Sequence, residues 1–182
     1  MKLFAFLLLP TLLVQCSSDN NPNGAQFNSN GCLECKDYFV GDVFVLKGTE
    51  YTVANRIMLM DALDYEEDLS LYCTSHVSDM SALFKDRANF NRDIGAWDLS
   101  RVTNTREMFR GATSFNQDIG GWDVSQVTDM TFMFRDAEKF NQDIGNWNVG
   151  EVVTMRAMFR NAESFNQNIG SWDVKKVRVF NA

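Results

Sequence analysis

The chain has 182 residues, 45% apolar and 13% aromatic, which is enough for one sizeable core or one repeat stack and short for two independent domains. A formal charge of −7 with no basic tract to offset it argues against a general nucleic-acid binder, because phosphate backbones are met by net basic surfaces.

Residues 1–15 carry Lys2 and then an almost unbroken apolar run, followed at once by Cys16, Ser17, Ser18 and Asp19. That is the build of an export signal, too short to span a bilayer stably. The run Leu12-Leu13-Val14-Gln15-Cys16 also resembles a bacterial lipobox, in which Cys16 would be lipidated and tether the protein to a membrane. Ordinary cleavage near residues 16–18 is the rival reading, and an uncleaved anchor the third. All three place the protein outside the cytoplasm: a surface or outer-membrane lipoprotein, or a secreted protein. Residues 16–35, rich in Asn, Gly and Ser, read as a flexible spacer.

Residues 36–73 read as a small α+β cap over the end of the repeat region. Residues 43–46, Lys47-Gly48 and residues 49–53 make a β-hairpin with a tight turn. Asn55 is placed to cap a helix through Ile57, Met58, Leu59 and Leu63, which the acidic residues 64–68 close. Leu69, Leu71 and Cys73 then alternate as a strand. Apart from Cys16 there are three cysteines. After export, Cys32 or Cys35 bonded to Cys73 would staple the spacer to the cap, while a Cys32–Cys35 bond would close a small loop; an unmodified Cys16 would permit two disulfides. The rival is a Cys3His zinc site of Cys32, Cys35, Cys73 and His76.

From residue 74 to the end the sequence repeats every 25 residues. Phe84, Phe109, Phe134 and Phe159 hold one register, Phe90, Phe115, Phe140 and Phe165 a second, and Trp97, Trp122, Trp147 and Trp172 a third. A period of this size is the sign of a solenoid whose units bury their apolar faces only by stacking. Within one unit Met130, Met133, Phe134 and Ala137 fall at i, i+3, i+4 and i+7, the spacing of one face of a short helix capped by Thr128 or Asp129. Residues 141–145 make a corner, and Trp147 and Val149 alternate as a short strand. The expected fold is therefore an α/β repeat solenoid, a short helix plus a short parallel strand per turn, with four full repeats over about 80–179.

The run from Met108 to Met130, Met-Phe followed by Phe-Asn-Gln-Asp-Ile-Gly-Gly-Trp-Asp-Val-Ser, resembles the 25-residue repeat of BspA-like leucine-rich-repeat surface proteins. The resemblance covers about residues 74–180. It implies a leucine-rich-repeat-like solenoid on a secreted or surface-attached protein, associated in some members with adhesion and partner binding, and it brings no catalytic residue or cofactor. Departures from the pattern fall toward the ends: Arg87 stands where later units have Ala112, Ala137 and Ala162, Thr105 replaces Met, and the last turn begins Val177-Arg178-Val179-Phe180.

Two columns of polar residues are candidates for function. Asn91, Asn116, Asn141 and Asn166 would stack at one corner, either as a structural ladder of buried amides bonding the backbone of adjacent turns, which is preferred, or as a calcium or sugar site with Asp93, Asp118 and Asp143. Asp118 and Asp143 would also lie one strand spacing apart, as in a retaining glycosidase, but every unit supplies the same Asp, so no enzyme is expected. Lys85, Arg110, Arg135 and Arg160 form a basic stripe, either paired internally with acids or offered to an anionic glycan or acidic protein. The expected role is non-catalytic binding or adhesion to a protein or glycan on another surface. The alternative is an envelope module that self-associates through an uncapped C-terminal edge at Val177, Val179 and Phe180.

Overall fold

The computed structural model describes residues 24–178; the expected export signal, Cys16, Val179 and Phe180 lie outside the described residues. The chain order is β1 (Gln26–Phe27), β2 (Leu33–Glu34), β3 (Val43–Leu46), β4 (Thr49–Val53), α1 (Arg56–Asp64), a 3-10 turn (Leu69–Leu71) and β5 (Tyr72–Cys73).

β1 and β2 pair antiparallel, Gln26 opposite Glu34 and Phe27 opposite Leu33. Asn28 closes the connecting loop by accepting at its Oδ1 from the N–H groups of Asn30 and Cys32, at 2.9 and 3.0 Å. This arm lies on the side of the repeat region: the Leu33 N–H donates to the Ala96 carbonyl at 2.7 Å. Residues 24–35 are thus folded rather than a flexible spacer. Their polar composition hides the anchoring because most of it is made by backbone groups.

β3 and β4 form the hairpin, with positive φ at Lys47 and Gly48 in the turn, and β5 adds to β4 in parallel. The Asn55 side chain caps α1 through the Met58 N–H at 3.0 Å. A disulfide joins Cys35, just past β2, to Cys73 of β5, and a small core of Leu33, Phe44 and Val53 packs around it.

Beyond Cys73 the expected helix-and-strand solenoid is overturned. Among the described residues there is no α-helix and no extended strand in that region; the chain runs in tight turns, and the inter-coil strand pairing shrinks to isolated parallel bridges linking Asp79, Asn104, Asp129 and Thr154 in series. In the segment expected to be helical, Leu83, Lys85 and Arg87 donate back three residues rather than four. Meanwhile Met80, Ala82, Phe84 and Asp86 donate to the carbonyls of Asn104, Arg106, Met108 and Arg110 in the next coil, at 2.7–3.0 Å. Successive i to i+3 turns return side chains to one face about as often as a helix does, so the apolar spacing alone cannot tell them apart. What differs is the destination of every second N–H, and that leaves no trace in hydrophobicity.

The 25-residue coils so formed stack in register. Within each, the two Phe rings stack at 4.0–4.1 Å between centroids, and equivalent Phe rings of adjacent coils follow at 5.1–5.9 Å. Each indole N–H reaches one coil back: Trp122, Trp147 and Trp172 donate to the carbonyls of Ile94, Ile119 and Ile144 at 3.1–3.2 Å. This satisfies the polar edge of the ring inside an apolar core.

The cap continues the same register. Leu59, Leu69, Tyr72 and Val77 stand 25 residues before Phe84, Ile94, Trp97 and Val102, and Trp97 donates to Leu69 as the later tryptophans do to Ile, at 3.0 Å. Here α1 takes the place of the turn run. Its Arg56 guanidinium donates to the Asp79 and Ser81 carbonyls at 3.3 and 2.5 Å, the acceptors equivalent to those that backbone N–H groups fill between later coils.

Candidate functional site

The turn-built coils have three corners closed by Asp or Asn, except that Thr154 holds the first corner of the fourth coil. At the first, Asp79, Asn104 and Asp129 accept at Oδ1 from the N–H two residues on, at 2.7–3.0 Å. At the second, Asp93, Asp118, Asp143 and Asn168 do the same for Gly95, Gly120, Gly145 and Gly170 at 2.9–3.0 Å. Asp98, Asp123, Asn148 and Asp173 close the third. Short polar side chains suit this work because they bond the backbone locally. The exposed carboxylates of Asp118 and Asp143 are therefore held by their own turns, and among the described residues no group of three or more His, Cys, Asp or Glu is placed to hold a metal.

The Asn column forms a ladder. Asn91, Asn116 and Asn141 accept at Oδ1 from the N–H of Asn116, Asn141 and Asn166, each at 2.9 Å, and Gln117, Gln142 and Gln167 donate to the same three Asn carbonyls, also at 2.9 Å. Its amides lie at the surface and not in the core, so the expectation of buried amides is corrected: the ladder seals a rim.

The cysteine cluster divides. Cys35 and Cys73 are joined, which removes two ligands from the Cys3His set; His76 is half-buried, and its enclosed Nε2 has no hydrogen-bond partner among the described residues. Cys32 is free and buried, its Sγ 3.3 Å from the Gly121 carbonyl, and burial, with the nearby Asp98, Asp123 and Glu34 charges, pushes its pKa up to about 11. Such a thiol is a packing group and not a nucleophile.

An open cleft of about 440 Å³ lies between the α1 region and the coil that follows it, where Arg87 replaces the usual Ala. Both its guanidiniums are engaged, Arg87 with Asp64 at 2.6 Å and Arg92 with the Glu67 carbonyl at 2.7 Å.

The turn runs make a charged face. Over residues 81–86, 106–111, 131–136 and 156–161 they carry six cations, Lys85, Arg106, Arg110, Arg135, Arg156 and Arg160, against three acids, Asp86, Glu107 and Asp136. Glu107 gathers Lys85, Arg110 and Arg106 at 2.5, 3.1 and 3.5 Å; the Lys85 hydrogen bond, with help from Arg110, holds its carboxyl below the usual range. Arg135 pairs with Asp136 at 3.1 Å. Around the half-buried Phe132 ring stand the guanidiniums of Arg135, Arg156 and Arg106, at 5.3, 5.7 and 6.0 Å from its centroid. Arg156 and Arg160, both exposed, have no carboxylate partner among the described residues. The stripe expected from sequence is thus paired at its first three positions and unpaired at the fourth. Sequence reasoning missed Arg106 and Arg156, which alternate with Ser81 and Thr131, and Phe132, which shares its place with Ala82, Glu107 and Ala157; both places break the 25-residue pattern it relied on.

No curated protein and no solved structure matches the chain. A family model matches residues 49–134 and again 80–182, so it begins inside the hairpin and takes in the cap's helical coil as well as the turn-built ones. With well over half of the sequence covered, the protein belongs to the family described as Mycoplasma protein of unknown function, DUF285.

Proposed function

We propose that the protein is an exported, non-catalytic binding or adhesion protein, held at a membrane through Cys16 or released, that meets a protein or glycan on another surface through the turn face of its coil stack. The observation that carries this reading is the division of labour within each coil. The three Asx corners and the Asn rim are occupied by internal hydrogen bonds, whereas the turn face varies from coil to coil and keeps unpaired charge. Recognition by rigid repeat stacks is commonly built from such variable positions on one face. The resemblance of residues 108–130 to BspA-like repeats points the same way, and the apolar N-terminal run supports export. The reading names no catalytic residue and no cofactor.

The test is adhesion of the full mature chain to cells and matrix, with Arg156 and Arg160 changed to Gln in one variant and Gln117 and Gln142 changed to Ala in another. Loss confined to the first variant is expected; equal adhesion by both, or no adhesion by the wild type to any surface, counts against it. Intact mass of the protein from its own cells decides between an acylated Cys16 and a released chain.

Self-association through the last coil is the second reading. It rests on the half-buried Phe159, Phe165, Ile169 and Trp172, which pack at the edge of the core. Ladder polarity weighs against a two-fold pair there. In earlier coils every second turn-run N–H points toward the next coil, so two such turn runs face to face would oppose donor to donor. Sedimentation that stays monomeric over a wide concentration range is the expected result.

A further inference from the structure

We infer that the turn face is a track for a linear acidic polysaccharide lying along the stack axis, with one carboxylate-bearing sugar per coil and its main anchorage at Phe132, Arg156 and Arg160. This rests on the binding reading above and names its ligand class.

Charge comes first. In a chain with 24 acidic and 17 basic residues, six cations against three acids on one face is a local reversal of sign. The cations are ordered: Lys85, Arg110, Arg135 and Arg160 recur once per coil, with Arg106 and Arg156 in a second row beside them. Coils joined by ladder hydrogen bonds of 2.7–3.0 Å lie about 4.8 Å apart, the spacing of hydrogen-bonded strands. A row of like charges at that spacing repels itself, and a polyanion of similar pitch offsets the repulsion along its whole length.

Pitch and shape choose the polymer. An extended peptide advances about 3.3–3.6 Å per residue and alternates its side chains, so same-side carboxylates recur about every 7 Å, out of step with the coils. A chain of acidic pyranoses advances by roughly one coil per sugar and, with successive sugars turned over, returns a carboxylate to the same side about every second coil, in step with the stack. Guanidinium groups bind carboxylates through two parallel N–H donors, and the half-buried Phe132 ring adds apolar surface beside them. The track is polarised: Glu107 ties up Lys85, Arg106 and Arg110, whereas Arg156, which stands over the Phe132 ring, and Arg160 have no carboxylate partner among the described residues.

The experiment is titration of the full mature chain with three probes: an oligouronate of eight sugars, its methyl ester, and an oligoglutamate of equal charge. Salt-sensitive binding of the oligouronate and none of the ester is expected. Arg156→Gln with Arg160→Gln should weaken binding about tenfold or more, the loss of two charge-assisted contacts. Lys175→Gln with Lys176→Gln, which removes the same charge elsewhere, should leave it within about twofold. Glu107→Gln should strengthen binding by releasing three cations, the opposite of what a purely structural ion-pair cluster would show. Tighter binding of oligoglutamate, or an arginine pair without effect, overturns the track. If surface adhesion depends on Arg156 and Arg160 while no oligouronate binds, the ligand class falls and the binding face stands; if adhesion survives their loss, both fall.

Discussion

At the scale of single residues, the turn runs rest on unusual backbone. Ala82, Asp86, Glu107, Phe132, Asp136, Ala157 and Asn161 all have φ between 46° and 60°, and only Gly111 among the equivalent positions is glycine. They occupy the third place of tight turns, where a left-handed residue is required and a Cβ is unfavourable. Ala82 is exposed and its N–H is used in the ladder, so Ala82→Gly should hold or raise the melting temperature, by up to about 1 kcal/mol of stability. Ala137 is fully buried without positive φ, and Ala137→Gly should lower stability by about 1 kcal/mol or more. Thermal melts of the two variants check the pair; equal effects would mean that the turn geometry is wrong. Glu107 adds a pH dependence. Its folded pKa lies below the unfolded value of about 4.3, so it contributes stability above that value and loses it as pH falls through the folded pKa. Denaturant midpoints of wild type and Glu107→Gln should therefore differ most near neutral pH and converge at strongly acid pH.

Legibility changes at the scale of elements. The hairpin can be read because β-branched and aromatic residues flank Lys47-Gly48, a pair that accepts positive φ, and the start of α1 can be read because Asn55 is a good cap for an apolar run. The period can be read because the Phe and Trp columns are core. The turn runs were misread as helices because hydrophobic spacing reports which face is buried and not which carbonyl each N–H finds. Nor does the sequence show that residues 55–79 form the first coil, since few of the repeat's signature letters survive there. Arg56 is the device that makes this substitution work. Arg56→Met keeps the aliphatic stem but leaves the Asp79 and Ser81 carbonyls without these donors; it should cost about 1–3 kcal/mol and speed amide exchange in residues 55–84 first. The arm has a similar control at Gly121, where a Cβ would meet the Asn30 carbonyl at 2.7 Å, while the equivalent Ala96, Asn146 and Ser171 carry side chains. Gly121→Asn should release the arm and expose Cys32 to alkylation at pH 8, whereas native wild-type Cys32 stays unmodified.

For the whole molecule, the ladders tie each coil to the coils on either side of it, so stability should vary along the axis as it does in other stacked repeats. Trp122 and Trp172 make the same indole bond, to Ile94 and Ile144, at 3.2 and 3.1 Å. Trp122 is 3% exposed with coils on both sides, whereas Trp172 is half-buried in the last described coil. Removing the indole N–H from a closed interior leaves a carbonyl with neither protein nor water to bond, while at a partly open position water takes over. Trp122→Phe should therefore cost about 1–3 kcal/mol beyond the lost packing, and Trp172→Phe about half that or less. Amide exchange should show the same gradient, slow in residues 105–135 and faster in 155–178. If the two variants lose equal stability and all coils exchange together, the stack unfolds as one unit and its edges are as strong as its middle. A graded result would mean that a ligand spanning several coils, as an extended polysaccharide would, also stiffens the last coil, and that protection of residues 155–178 on binding reports the reach of the track.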